Sequence, residues 1–484
     1  MSSSVIVWFR RDLRLADHPA LGAAVETGAP VIPVFVLDTA DGPWRPGAAS
    51  RWWLHHSLAA LDASLRERGS TGLVLRCGNP VDAIASLAEE SGANEVYFTR
   101  RYAPREARLE QDLADRLDAD GRTARRFGGA LLMEPESEAL RTKAGAPYSV
   151  FTPFYKALMQ ALPEPQPQPA PEHIPAPPDM PHGDRLEDWD LLPTKPDWAG
   201  GLRQAWTPGE AAALERLDEF LDGAVADYPD DRDRPDRRGT SRLSPHLHFG
   251  EISPRTVWHR TSRAIDSDGR TREAKGGASF LRELVWREFA HHVLHHRPEL
   301  PDTPLRPEFA DFPWEANRDA LRAWQRGRTG YPIVDAGMRE LWTTGWMHNR
   351  VRMIVASFLI KDLLIPWQEG AAWFWDTLVD ADLANNAAGW QWVAGSGVDS
   401  APFFRVFNPV LQSERFDPDG DYVRRWIPEL AELPTSLVHK PWDAGTEALD
   451  RAGVVLGEDY PHRIVDHGKA RRRALAAFEE IRGS

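Results

Sequence analysis

Two hydrophobic periods divide the chain. In roughly the first 135 residues, short apolar runs alternate with helical patterns. VIVWF at 5–9 and VIPVFVL at 31–37 read as buried strands, with LVL at 73–75 and EVYF at 95–98 as a third and fourth. Between them, residues 51–68 place Leu54, Leu58, Leu61 and Leu65 on one helical face. Strands alternating with helices predict a parallel sheet covered on both sides. No GxGxxG turn follows the first strand, so the expected α/β domain is Rossmann-like without the dinucleotide fingerprint.

From about residue 206 the period becomes helical. Residues 211–221 space Leu214, Leu217 and Leu221 for one face. Residues 280–296 carry Phe280, Leu284, Val285, Phe289 and Val293, and residues 350–364 repeat the pattern with Val351, Ile354, Val355 and Phe358. An all-α second domain is predicted. Between the two lies LPEPQPQPAPEHIPAPPDMP (162–181), where proline recurs at nearly every second position and predicts an extended connection. The expected division is 1–135 for the α/β domain, 136–205 for the linker and 206–484 for the helical domain.

Composition narrows the class. Apolar content of 42% and charged content of 27% suit a folded globular chain and exclude wholesale disorder. The one cysteine, Cys77, rules out intrachain disulfides and a Cys-rich zinc site, and fits a reducing compartment. The N-terminus lacks signal-peptide form and no apolar run is long enough to span a bilayer, so a cytoplasmic protein is expected. A formal net charge of −14 argues against a surface coated for nucleic acid but leaves room for a local basic face.

Residues 344–392 are unusually rich in tryptophan: Trp346, Trp367, Trp373, Trp375, Trp390 and Trp392 stand beside His348, Asn349, Arg350, Arg352, Asp380, Asp382, Asn385 and Asn386. Each indole N–H needs a partner, so a core built only for stability would use Leu and Ile. A flat, redox-active, stacking ligand accounts for the density better. Arg352 and Asp380 can meet as a pair, structural or ligand-facing. An amide of Asn385-Asn386 can donate to a ligand ring nitrogen. Upstream, Gly239-Thr240-Ser241-Arg242-Leu243-Ser244 can present hydroxyls and N–H groups to a phosphate, or simply cap a helix. Glu283 and Arg287 are four apart and can pair along one helix. His291, His292, His295 and His296 include zinc-compatible spacings, yet no HExxH pattern is present, and a packed or solvated face is the better reading; no metal site is expected.

TSRLSP, ELVWREF, GYPIVDAGMREL, TGWMHNRVRM and DLANNAAGWQW, with WFRRDLRLADHPAL at 8–21, resemble the signatures of the photolyase/cryptochrome family in order and over nearly the whole chain. The resemblance implies FAD bound in the helical domain, an antenna chromophore near the α/β domain, and UV-damaged DNA as partner for a monomer. Trp286, Trp392, Glu283 and Met353 match the branch that repairs cyclobutane pyrimidine dimers. The His-rich variant of WMHNR is absent, as is a long C-terminal tail, so a class I dimer photolyase is expected.

The resemblance assigns roles residue by residue. Tyr228, Thr240, Ser241, Leu243 and Ser244, with Arg287 nearby, would hold the FAD phosphates and ribityl chain. Asp380, Asp382 and Arg352 would address the flavin, and Asn386 its N5. Excited reduced FAD would pass an electron to the dimer and recover it after the ring splits, with Glu283 bonded to the base. Trp286 and Trp392 would wall the damaged bases, Met353 beside them. Arg232, Arg242, Asn349, Arg350 and Arg405 would contact DNA, and Trp390, Trp367 and Trp314 would relay electrons. Arg51 resembles the pattern of members that bind 8-hydroxy-5-deazaflavin, whereas only Glu106 matches the folate-type pair, so a deazaflavin antenna is favoured over folate. A blue-light photoreceptor with the same flavin site is the alternative. A dark nicotinamide-linked flavoprotein is disfavoured by the missing glycine fingerprint.

Overall fold

The computed structural model describes residues 4–265, 271–399 and 404–482. Five parallel strands form one sheet in the order β3-β2-β1-β4-β5: β1 Val5–Phe9, β2 Val31–Asp38, β3 Val74–Gly78, β4 Glu95–Thr99 and β5 Thr123–Phe127. Helices α1 Pro19–Glu26, α2 Ala48–Glu67, α3 Pro80–Ser91 and α4 Pro104–Ala119 cross between them. The first four strands sit where the apolar runs predict. The fifth, TARRF, escapes that reading because it lies at the sheet edge with mostly exposed or half-exposed side chains.

The sheet reverses direction of growth between β1 and β4, the place where open α/β sheets form a crevice at the strand ends. Here the loop after β1 fills that end with the second domain. Leu13 N–H bonds Phe249 O (3.1 Å), Arg14 Nη1 donates to Gly250 O (2.9 Å), and Leu15 and Ala16 N–H groups reach the Glu210 carboxylate (2.7 and 2.9 Å). Gly250 has φ +68°, and a Cβ there would run into the Arg11 backbone, so glycine is required for the contact. From α2, Trp53 Nε1 donates to Glu251 Oε1 (3.0 Å), whose other oxygen lies 2.5 Å from His246 Nδ1.

The proline-rich run is extended and returns along the first domain: Asp17 N–H bonds Gln168 O (2.7 Å), Ile174 N–H bonds Arg68 O (2.7 Å) and Val31 N–H bonds Pro175 O (2.7 Å). The segment expected as linker also carries a helix, α5 Phe151–Ala161, whose Phe151, Phe154 and Leu158 are buried against the helical domain. Beyond residue 206 the long helices follow the 3.6 period, notably Arg272–His296, Pro332–Thr344 and Leu383–Ala394. Two predicted helices end in π-helical turns, Phe220–Ala224 after Glu210–Glu219 and Phe358–Asp362 after Asn349–Ser357. Among the described residues no helix is long and apolar enough to cross a membrane.

Candidate functional site

A cavity of ≈ 460 Å³ opens in the helical domain, a size typical of small-molecule sites, which run to about 300–1,000 Å³. Four helices line it, Trp367–Thr377 giving Phe374. Arg272–His296 supplies Glu283 and Trp286, Asn349–Ser357 supplies Asn349, Arg350, Arg352 and Met353, and Leu383–Ala394 supplies Asn386, Trp390 and Trp392. Spacings of three and four residues put Glu283 with Trp286, Asn349 with Met353, and Asn386 with Trp390 on shared faces. Arg232 and Asp380 enter from the connecting segments.

Three arginine–carboxylate pairs ring the cavity. Arg232 Nη1 lies 2.5 Å from Glu283 Oε1, and Arg350 Nη2 lies 2.7 Å from Asp233 Oδ2. Arg352 Nη2 spans both Asp380 oxygens (2.8 and 3.1 Å) while its Nε donates to Met347 O (2.7 Å). The predicted pairing of Glu283 with Arg287 does not form. Arg287 turns the other way, to Glu288 (3.2 Å) and Ala130 O (3.1 Å), because Arg232 takes the Glu283 carboxylate.

The walls are aromatic. Trp286 lies flat on Phe151, ring centroids 3.6 Å apart and planes 4° from parallel. Phe151 comes from α5, and sequence reasoning missed it; the spacing of Phe151, Phe154 and Leu158 was the available signal. Trp390 meets Phe374 edge-on at 5.0 Å, and Gly370 makes room, since a Cβ there would sit 2.1 Å from the indole. Asn386 Nδ2 donates to Ala371 O (3.1 Å), which leaves one N–H and the side-chain oxygen of the amide for a ligand.

Residues 5–172 match the family described as DNA photolyase, and residues 280–480 match the FAD binding domain of DNA photolyase. The chain is 53% identical over 484 residues to the deoxyribodipyrimidine photo-lyase of Agrobacterium fabrum, covering 99% of this chain and 98% of that protein. The chain belongs to the photolyase/cryptochrome family. It is also 39% identical to cryptochrome-1 of Arabidopsis thaliana, over 98% of this chain and 70% of that protein. Its fold matches the crystal structure of a bacterial class III photolyase from Agrobacterium tumefaciens with a TM-score of 0.94 at 53% identity, covering 100% of this chain and 98% of that one.

The α/β domain with its parallel sheet, and the helical FAD-binding domain, are therefore the family's two parts. The residues at the cavity suit a flavin ring: Phe374 and Trp390 offer flat faces, Leu378 an apolar contact, the Arg352–Asp380 pair charge, and Asn386 an amide. The family's remaining positions lie elsewhere. Tyr228 is buried against Phe220 and Phe280, with Arg232 5.7 Å above its ring. Thr240 and Ser241 are half-buried, Leu243 is buried, and exposed Ser244 accepts from Trp346 Nε1 (3.2 Å) instead of capping its helix.

Arg242 does not reach the cavity rim as expected. Its φ of +52° turns the guanidinium between Trp206 (4.5 Å) and Trp346 (4.8 Å), and burial together with Arg216 pulls it down to about 10. Arg405 is exposed over Phe407 (4.9 Å), apart from the main cavity. Trp390 lines the cavity, while buried Trp367 and half-buried Trp314 line a surface groove of ≈ 380 Å³.

Asp382 is also removed from the cavity. It faces a space of ≈ 20 Å³ between the domains with Arg11, Arg101, Glu106, Arg287 and His291. It caps the Leu383–Ala394 helix through Asn385 N–H (2.9 Å), with His291 Nε2 at 3.5 Å. Burial opposes its ionisation, but His291, His248 and Arg287 outweigh that and hold the carboxyl far below the usual range. The antenna candidates separate likewise. Glu106 belongs to this enclosed cluster, whereas Arg51 lies on α2 with Nη1 on Pro46 O (2.9 Å).

Proposed function

We propose that the protein is a deoxyribodipyrimidine photo-lyase that uses FAD and light to split cyclobutane pyrimidine dimers in DNA. One observation carries the reading: Glu283, Trp286, Met353 and Trp392 face the same cavity as Arg352, Asp380 and Asn386. A dimer and a flavin ring would share one enclosure, which is what electron exchange between them requires. Enzymes that work on a base within a duplex, photolyases among them, first take it out of the stack. The chemistry FAD supplies when bound is light-driven donation of one electron and its recovery.

The chain's own groups then have distinct tasks. Trp286, backed by Phe151, offers its free face to one base of the dimer, with Trp392 as the opposite wall. Glu283 hydrogen-bonds the base and stabilises charge that develops there, once the dimer displaces part of its contact with Arg232. Arg232, Arg350 and Asn349 sit at the mouth for phosphates, which fix register without reading sequence. Arg352, held by Asp380, balances negative charge on the ring, and the Asn386 amide faces the ring edge at N5. Met353, 3.9 Å from Asn349 Nδ2 through its sulfur, fills the gap between ring and dimer. Trp390, Trp367 and Trp314 are assigned to inward electron relay.

The family's second chromophore is proposed to be 8-hydroxy-5-deazaflavin on the Arg51 side of the α/β domain, because Glu106, the folate-type residue, is committed to the inter-domain cluster. The sequence points to class I, whereas the matching structure from Agrobacterium tumefaciens is named a class III photolyase; dimer repair is proposed on Glu283, Trp286, Met353 and Trp392, without assignment to either class. An absorption spectrum of the purified protein should show flavin bands and a further band for the antenna. Incubation of the reduced protein with dimer-containing DNA under blue light should remove dimers. Unchanged dimers would favour the photoreceptor reading that the likeness to cryptochrome-1 keeps in play.

A further inference from the structure

Trp392 lines a second, smaller cavity of ≈ 50 Å³. Three of its lining residues are cations, Arg306, Lys361 and Arg405, and its aromatic walls include Phe309, Phe404 and Phe407. No carboxylate lines it. Lys361 stands on the π-helical turn Phe358–Asp362, a type of turn found frequently at functional sites, and is 3% exposed. Its ammonium donates to the Arg405 carbonyl and lies 4.5 Å over the Phe404 ring. An ammonium has three N–H donors, and a buried one without a counter-ion is costly.

The neighbouring charges leave that demand unmet. Asp362, next in sequence, takes His467 Nδ1 (2.6 Å), and its carbonyl takes Arg473 (2.8 Å). Arg306 gives Nε and Nη2 to Glu308 (2.9 and 2.7 Å) and Nη1 to Gly395 O (3.1 Å). Among the described residues, Arg405 has no ion pair. With Arg306 neutralised by Glu308 outside the lining, Lys361 and Arg405 leave the cavity with an excess of positive charge, which suits an anion. A water occupies about 30 Å³ of liquid, so the space is right for one phosphoryl group or for a water or two.

We propose that this cavity seats a phosphodiester of the lesion-bearing DNA strand, with Lys361, Arg306 and Arg405 as its cationic contacts. The inference rests on the photolyase reading, since Trp392 is then both the wall for the damaged base and the partition beside its backbone. Phosphate held there fixes the extruded nucleotide against the wall. Burial lowers the Lys361 ammonium to about 7; Asp362 opposes the shift and Arg405 adds to it. A bound phosphate favours the charged amine, so DNA binding above pH 7 is coupled to proton uptake at this lysine.

Calorimetric titration of the full-length protein with a dimer-containing duplex tests this, run at pH 7.5–8 in two buffers of different ionisation enthalpy. The parent should take up a fraction of a proton per duplex. Lys361→Met should bind about tenfold more weakly, with the uptake gone and the salt slope reduced by about one. Lys361→Arg should regain affinity without regaining uptake, which a merely structural lysine would not produce. Parent-like affinity or parent-like proton uptake in Lys361→Met overturns the proposal. If millimolar inorganic phosphate stabilises the DNA-free parent but not Lys361→Met while duplex affinity stays equal, the seat belongs to free phosphate and the DNA assignment falls. A parent that does not prefer damaged over undamaged duplex would count against the photolyase reading itself, a different outcome from either.

Discussion

Around the ≈ 460 Å³ cavity, Arg232, Arg350 and Arg352 each meet one carboxylate and the space between them stays open. Between the domains, Arg11, Arg101 and Arg287 gather with Glu106 and Asp382 about a space of only ≈ 20 Å³. The residue types are the same, and the difference lies in access to water. Glu283 and Arg232 retain 28% and 26% of their side-chain exposure, so either can change partner when a ligand arrives. In the cluster, burial is the leading influence on Asp382, His248 and His291, and each charge is fixed by its neighbours. Open pairs are suited to chemistry, and closed ones join two domains.

The largest expected effect separates the two regions by stability. Asp382→Ala leaves three arginines facing Glu106 alone and removes a helix cap, a loss on the order of 3 kcal/mol. Glu283→Gln should cost less than about 1 kcal/mol, since its ion pair is partly solvated. Denaturant unfolding of both variants checks the contrast; equal losses would break it. In binding the order reverses. Trp286→Ala should weaken dimer-containing DNA about 10- to 100-fold, the scale of one lost base-stacking contact, while undamaged duplex binds as before.

Acid sharpens the comparison. Burial pushes His291 down to about 4, against an unfolded value near 6.5. Below pH 6.5 the unfolded chain binds that proton first, so the contribution of His291 to stability falls as pH drops toward 4, by about 1.4 kcal/mol per unit of difference. Glu288 and Glu340, raised by burial to about 7, run the opposite way in the parent. The measure is therefore the gap between His291→Gln and parent, which should move in favour of the variant from pH 6.5 to 4. Asp382 acts in a lower window: its depressed carboxyl contributes fully above about 3.9 and is lost only below that.

Smaller effects concern the flavin. Asn386→Asp replaces the amide at the cavity with a carboxylate and should shift the stable redox state, read from the absorption spectrum. Trp314→Phe should slow light-driven reduction and leave repair by chemically reduced protein largely intact. Lost repair with reduced flavin would remove Trp314 from the relay.

Much of this was legible in the sequence because it is periodic or local. Apolar runs marked four strands, and helical spacing put Asn349 beside Met353 and Asn386 beside Trp390. What was not legible depends on contacts between distant segments. Phe151 covers Trp286 from the presumed linker, and Arg232 takes Glu283 from Arg287 across 51 residues. Arg242 was misplaced because one backbone angle, φ +52°, decides which way its side chain leaves the turn. Asp382, two residues from Asp380, looked like its companion; as helix cap it points to the other domain.

Dimer repair by chemically pre-reduced protein under blue light, compared among parent, Glu283→Gln and His291→Gln, tests the division most directly. Parent and His291→Gln should clear dimers at similar rates, and Glu283→Gln should be clearly slower with its flavin retained. A parent that leaves dimers intact, or equal impairment in the two variants, would contradict the account.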